Sequence, residues 1–212
     1  MEGARRGAAA FAKATAASPE LQRRRGDPAD TSMQWFLLRK SSSESLAISI
    51  AGIKLGDRLL VLGCSDPVLI ARLAVKTGLT GRAHAVDADE RTVTRAADVA
   101  LREGALVETS VSPFAVLPLE AAAFDVAVVR DVLPQVGAES RLPVLAEVRR
   151  VLRAGGRCLV IDAAPRGFGA LIRSSSGNVD YVPILQAAGF RASRVLAERK
   201  GQIFAEGVNP QS

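Results

Sequence analysis

Short apolar runs alternate with amphipathic segments from residue 57 onward. The run at 58–62 is almost wholly apolar, which is typical of a parallel strand that is buried on both faces. Segments with apolar residues at helical spacing follow such runs. The pattern predicts strands at 58–62, 82–86, 107–111, 124–129 and 156–162, and helices at 67–76, 90–103 and 140–152. This alternation predicts an α/β, Rossmann-like fold: a doubly wound, mostly parallel sheet in a three-layer α/β/α arrangement.

The last part of the chain has a different pattern. A helix is predicted at 180–188, and two strands follow at 191–196 and 202–206. The residues between them include Gly201, which is typical of a hairpin turn. We therefore expect the sheet to end in a C-terminal antiparallel hairpin at one edge.

The N-terminal region divides into two parts. Residues 1–31 are rich in Ala, Arg, Gly and Pro with sparse apolar residues, which predicts a flexible or disordered tail. Residues 32–55 contain the apolar stretch around Trp35 and a second apolar segment at 43–53, and these predict helices that form a cap or lid. The main domain is expected over residues 56–208.

Composition excludes several classes of protein. With 48% hydrophobic and 24% charged residues, the chain has the composition of a soluble globular domain, and no apolar run reaches the roughly 18 residues of a membrane span. Two cysteines, Cys64 and Cys158, and the single His84 cannot build a zinc site on their own. We expect no metal site and a reducing, cytoplasmic setting.

The net charge of +6 gives no strong signal for nucleic-acid binding. Basic residues are scattered, and the one tight run, 23–25, is followed at once by Asp27 and Asp30. A nucleic-acid-binding protein usually concentrates its basic residues on one face. A small molecule is the expected partner, with a protein partner or a homodimer as further possibilities.

Four segments resemble class I S-adenosylmethionine-dependent methyltransferases. They are Gly56–Cys64, which is similar to the family's first strand and glycine loop, and Gly81–Asp87, Phe124–Val129 and Glu147–Asp162, which are similar to its second, fourth and fifth strands. The resemblance extends from about residue 53 to residue 207 and includes the closing hairpin. It implies S-adenosylmethionine as the cofactor.

The resemblance also implies where the site lies. Ligands of doubly wound sheets bind beyond the carboxyl ends of the strands, where the strand order reverses. The implied cofactor-binding residues lie in the loops that follow strands one to three: Gly63, Cys64, Ser65, Asp87, Ala88 and Ser112. Asp87 corresponds to the acid that holds the ribose hydroxyls. Arg130 and Asp131, just past strand four, are the candidates for substrate or catalytic contacts.

Each of these assignments has a structural alternative. Gly63 could be an ordinary strand-to-helix turn, and Asp87 could cap the helix that begins near Glu90. Arg130 and Asp131 could form a surface ion pair. Cys64 could be a reactive thiol, although small-residue packing is the commoner reason for a cysteine there. His84 is expected to pack or bond within the sheet.

The glycine loop departs from the family pattern. Val61 occupies the position of an acid, and Ser65 and Pro67 occupy those of two glycines, while after strand three only Ser112 stands near the position of an adenine-binding acid.

The first functional hypothesis is a methyltransferase that acts on a small molecule. The alternative is a catalytically inactive methyltransferase-like domain that serves as a binding or assembly partner. A nicotinamide-dependent oxidoreductase is a third hypothesis, but it would require three loop glycines.

Overall fold

The computed structural model describes residues 44–163, 179–199 and 201–210. The predicted tail, the apolar stretch around Trp35 and part of the hairpin turn lie outside these residues. In chain order the elements are α1 (44–51), β1 (Arg58–Leu62), α2 (Pro67–Thr77), β2 (Arg82–Asp87), α3 (Glu90–Arg102), β3 (Glu108–Val111), β4 (Phe124–Arg130), α4 (Ala138–Val151), β5 (Leu152–Ala163), α5 (Tyr181–Ala187), β6 (Arg191–Arg199) and β7 (Gln202–Val208).

The strands form one seven-stranded sheet in the order β3-β2-β1-β4-β5-β7-β6. Strands β1 to β5 are parallel to one another, and β7 lies between β5 and β6 and runs antiparallel to both. The order reverses between β1 and β4, so the ligand-binding crevice of such a sheet is expected there. The predicted Rossmann-like architecture with a C-terminal antiparallel hairpin is confirmed.

Alternate side chains of the central strands enter two separate cores. Leu59, Val61 and Val128 pack with α1, α2 and α3 on one face. Leu60 and Val129 pack with α4 and α5 on the other. Because both faces of the central strands are covered, their sequences are almost wholly apolar.

Two aspartates determine where the helices after β1 and β2 begin. Asp66 accepts a hydrogen bond from the backbone N–H of Leu69 (3.2 Å), and Pro67 occupies the first turn of α2. Asp89 accepts in the same way from Thr92 (3.2 Å) at the start of α3. Asp89, and not Asp87, is therefore the N-cap of α3.

Strand β5 is longer than the sequence pattern predicts. It begins at Leu152, directly after α4, whereas the apolar run that predicts it begins at residue 156. Leu152 pairs with Phe124 and Arg157 pairs with Val126, so a bulge accommodates the additional residues between them. Within the described ranges no helix is both long and apolar enough to cross a bilayer.

A buried carboxylate ties α1 to the hairpin. Glu206 of β7 is 6% exposed and accepts hydrogen bonds from Arg157 (3.0 Å) and Arg194 (2.8 Å). The Arg157 guanidinium also donates to the carbonyl oxygens of Ile50 and Ala51, which are otherwise unpaired groups at the end of α1. This network attaches α1 to the β6–β7 hairpin.

We predict that Glu206→Gln lowers the free energy of unfolding by about 2 kcal/mol, because it removes one charge from a buried pair. Arg194→Gln is the matched control. The Arg194 side chain is 69% exposed, so its loss should cost less than about 0.5 kcal/mol. Urea denaturation followed by circular dichroism measures both values. Equal losses in the two variants would contradict the assignment.

Candidate functional site

The carboxyl ends of β1, β2, β4 and β5 bring the candidate residues together at one edge of the sheet. Backbone hydrogen bonds continue past the ends of the strands: Gly63 N–H donates to Val86 O (2.9 Å), and Asp131 N–H donates to Ile161 O (3.0 Å). Ser112 N–H donates to Asp87 O (3.0 Å) in the same manner. The loops that carry the candidate residues are thus held by the sheet itself.

Gly63 is required by a close approach of two chain segments. Its φ is +92°, and a Cβ atom at this position would lie 2.2 Å from the carbonyl oxygen of Arg130 and 2.8 Å from the Val132 side chain. Only glycine fits this contact in this backbone conformation. The glycine therefore lets the loop after β1 pass against the end of β4.

Asp87 holds the loop after β1 to the end of β2. One carboxylate oxygen accepts the Cys64 backbone N–H at 2.7 Å, and the other accepts the Asp89 N–H at 3.1 Å. A carboxylate has about four acceptor positions, so hydroxyl donors can still bind. Asp87 is half-buried and lies at the open edge of the sheet.

Cys64 is a buried thiol. Its side chain is inaccessible to solvent, and burial, together with the Asp87 charge, raises the pKa of the Cys64 thiol to about 12. The thiol is thus protonated at neutral pH and is a poor nucleophile. Packing and the backbone contact with Asp87, rather than thiol chemistry, account for this residue. Cys158, which is also free and buried, belongs to the opposite core.

Arg130 lies between two acids, one from the altered glycine loop and one from the loop after β4. Its guanidinium lies 3.5 Å from Asp66 and 3.2 Å from Asp131, and its side chain is 13% exposed. Ser65 in turn donates to Asp131 at 3.4 Å. Asp131 has a φ of +51°, which is uncommon for a residue other than glycine. Residues from the loops after β1 and β4 therefore form one polar network.

The remaining sequence candidates lie at the margin of the site. Ala88 is exposed after β2. The Ser112 hydroxyl bonds within its own loop, to the carbonyl oxygen of Val116. His84 lies within β2, and its Nε2 is 2.8 Å from the Ser110 hydroxyl oxygen. It thus bonds within the sheet, as expected. Across the described ranges, no three or more His, Cys, Asp or Glu side chains are grouped to hold a metal ion.

Asp162, near the end of β5, was not among the site residues that the sequence predicts. Its carboxyl group is fully buried, and neither oxygen has a hydrogen-bond partner of good geometry among the described residues, although the Tyr181 hydroxyl of α5 faces it. Burial raises the pKa of Asp162 to about 7, and the charge of Asp131 adds to the increase. The signal available in the sequence was its position one residue past an apolar run.

We predict that Gly63→Ala destabilises the protein by about 3 to 5 kcal/mol, or prevents folding, because positive φ and steric overlap add together. Gly104→Ala is the matched control: its φ is +70°, but a Cβ atom there meets nothing within 4 Å. The control should lose about 1 to 2 kcal/mol. Chemical denaturation measures the difference, and similar losses in both variants would be inconsistent with the contact.

We predict that stability falls as pH rises from about 4 to 7 through the deprotonation of Asp162. Its pKa is near 3.9 when unfolded and about 7 when folded, so the folded state binds more protons across this interval. The free energy of unfolding is highest below the unfolded pKa and decreases, by at most about 4 kcal/mol, until the folded pKa is passed. Asp162→Asn should remove this decrease. Asp98→Asn, the same change on the exposed face of α3, should retain the decrease. Chemical denaturation at several pH values in this range measures the free energy of unfolding of each variant.

The sequence matches the family model of the methyltransferase domain over residues 60–160. No curated protein matches it significantly. Among solved structures, a SAM-dependent methyltransferase from Aquifex aeolicus is 21% identical, with a TM-score of 0.67, and the match covers 78% of this chain and 88% of that one. The [4+2]-cyclase SpnF is 19% identical with a TM-score of 0.62, and the match covers 81% of each chain.

A third similar structure is that of PigF with SAH. It is 17% identical with a TM-score of 0.62, and the match covers 85% of this chain and 59% of that one. At these identities the structural matches show the fold, and the family model identifies the domain. The resemblance to class I S-adenosylmethionine-dependent methyltransferases is thus confirmed: residues 60–160 match the family model of the methyltransferase domain, and the chain has the fold of a SAM-dependent methyltransferase.

Proposed function

We propose that this protein binds S-adenosylmethionine at the carboxyl edge of the sheet and transfers its methyl group to a small-molecule acceptor. The observation that carries the proposal is the 2.7 Å hydrogen bond between the Asp87 carboxylate and the Cys64 amide. It joins the β2 acid to the loop after β1, the two parts of the site that a nucleoside cofactor must touch together.

The charge of this edge favours a cationic ligand. The connections at 62–67, 87–90 and 130–138 carry one basic residue, Arg130, and five acidic ones, namely Asp66, Asp87, Asp89, Glu90 and Asp131. S-adenosylmethionine carries a net positive charge, because its sulfonium and ammonium groups outweigh its carboxylate. A dinucleotide would instead bring an anionic pyrophosphate close to these carboxylates. Electrostatics therefore supports the sulfonium cofactor over a nicotinamide cofactor.

We assign the cofactor contacts to the loops after β1, β2 and β3. Asp87 would accept hydrogen bonds from the ribose hydroxyls, with Ala88 beside it. Gly63, Cys64 and Ser65 would line the methionine side, and Ser112 the adenine side. Asp66 does not oppose binding there, because its oxygens cap α2 and face Arg130.

Arg130 and Asp131 are our candidates for the acceptor side. The cofactor supplies a methyl group on a positively charged sulfur, so the main task of the protein is to hold the acceptor in line with it. When bound, the cofactor would supply an electrophilic methyl group: the acceptor atom would bond to the methyl carbon, and the electron pair of the broken carbon–sulfur bond would stay on sulfur. The acceptor then loses a proton. Because the Asp162 carboxyl group is fully buried, solvent or the Asp131 carboxylate, whose side chain is 32% exposed, would receive it.

An inactive methyltransferase-like domain remains the second candidate function. Val61, Ser65 and Pro67 depart from the glycine-loop pattern, and the similar structure of SpnF is that of a [4+2]-cyclase. A fold of this kind therefore does not by itself establish methyl transfer.

We further propose a cytoplasmic setting, which the free thiols of Cys64 and Cys158 favour.

We predict that the purified chain binds S-adenosylmethionine and S-adenosylhomocysteine with micromolar affinity in calorimetric titration. Asp87→Ala should weaken binding at least about 100-fold, because it removes the ribose acceptor and the bond to the Cys64 amide. Asp87→Asn, which keeps one acceptor oxygen, should lose less.

The matched control is Asp57→Asn. Asp57 also accepts a backbone N–H, from Lys54 at 2.8 Å, but at the opposite edge of the sheet. It should leave cofactor affinity unchanged. If the folded wild-type chain shows no heat and no thermal shift at millimolar cofactor, the methyltransferase proposal fails, and the inactive domain that binds a protein partner is favoured.

A further inference from the structure

Exposed leucines are concentrated at the amino edge of the sheet, opposite the candidate site. Leu55, Leu79 and Leu106 precede β1, β2 and β3 and are 81%, 99% and 84% exposed. Leu101 and Val75, near the ends of α3 and α2, are 77% and 55% exposed. Isolated exposed leucines are ordinary, but five apolar side chains at one edge form a feature that needs an explanation.

The topology places the three loop leucines in a row. Strands β1, β2 and β3 are neighbours in the sheet, so the loops before them are neighbours too. A Cβ atom on Gly78 would lie 2.7 Å from a methyl group of Leu55, which brings that side chain against the loop that bears Leu79. With adjacent strands about 4.8 Å apart, the row is about 10 Å long. We call Leu55, Leu79 and Leu106 the leucine edge.

Basic side chains flank the leucine edge. Five are exposed there: Lys54, Arg58, Lys76, Arg82 and Arg102. The same segments contain three acidic residues. Asp57 accepts a hydrogen bond from the Lys54 backbone N–H, and the Glu108 carboxylate lies 3.4 Å from the His84 ring. The third, Glu103, is exposed. The segments around the leucine edge are therefore slightly basic, whereas the connections at 62–67, 87–90 and 130–138 are acidic.

We infer that the leucine edge docks this protein on an anionic membrane surface. Leucine side chains at separate loop tips can enter the boundary between headgroups and acyl chains, which adapts to their shape. Lysine and arginine beside them attract anionic headgroups. A protein partner would need a larger complementary surface with packing like that of a protein interior, and the leucine edge is a row only about 10 Å long.

Docking by this edge would leave the candidate site open to the aqueous side. The carboxyl ends of the same strands lie at the opposite edge, because β1, β2 and β3 are parallel. The acidic carboxyl edge would also be kept away from anionic headgroups. The inference does not depend on methyl transfer, since it uses none of the site residues.

Vesicle co-sedimentation of the full chain tests the inference. Vesicles of phosphatidylcholine alone are compared with vesicles of phosphatidylcholine mixed with phosphatidylglycerol. The wild-type chain should bind the mixed vesicles at least about tenfold more strongly. The variant Leu55→Ser/Leu79→Ser/Leu106→Ser should lose at least about tenfold of that binding. The N-terminal arginines are unchanged in it, so they cannot account for the loss.

The control is Val116→Ser/Leu142→Ser/Val195→Ser, which changes three exposed apolar residues away from this edge; these are 67%, 42% and 46% exposed. It should bind like the wild type, and circular dichroism checks that both triple variants are folded. Failure of the wild type to bind mixed vesicles overturns the inference, as does equal loss in the two variants. A wild-type dimer in sedimentation velocity that the leucine-edge variant converts to a monomer would instead assign the edge to contact between two copies.

Discussion

The contact between Gly63 and the end of β4 is the constraint on which the carboxyl edge depends. The backbone of Gly63 lies so near the Arg130 carbonyl that a Cβ atom would approach to 2.2 Å. This crossing occurs at the point where the strand order reverses. It brings the loop that carries Ser65 and Asp66 beside Arg130 and Asp131. Without it, residues more than 60 positions apart in the chain would not form one polar network.

That network explains how the altered loop fits a site for a charged ligand. Ser65 and Pro67 replace glycines of the family pattern, and Asp66 adds a charge. In the structure, one carboxylate oxygen of Asp66 accepts a backbone hydrogen bond at the start of α2, and the other lies 3.5 Å from the Arg130 guanidinium. Asp87 bonds to the Cys64 amide, so backbone geometry in the loop is maintained by an acid from β2. Apart from Gly63, the loop is thus supported by its neighbours and not by further glycines.

The fold could be predicted because local sequence and tertiary environment agree. Strands covered on both faces need contiguous apolar runs, and Asp66 followed by Pro67 marks the start of α2. The beginning of β5 was missed, since residues 152–156 carry no apolar run and pair through a bulge. The environment of Asp162 could not be inferred, because two groups that act on its carboxyl group, Tyr181 and Asp131, are distant in sequence. Likewise, whether Asp87 or Asp89 caps α3 depends on which carboxylate faces the first turn of the helix. The residue types around position 88 do not specify this orientation.

Residues of different chemistry lie at the amino and carboxyl ends of the parallel strands. In a parallel sheet every strand begins at one edge and ends at the other, so residues before and after the strands are separated by the strand length. Here the acids and the polar network follow the strands, whereas exposed leucines with lysine and arginine precede them. Binding of a cation at one edge and contact with an anionic surface at the other would then be compatible. Neither would require the other's residues to move, because the buried central strands between them form a rigid spacer.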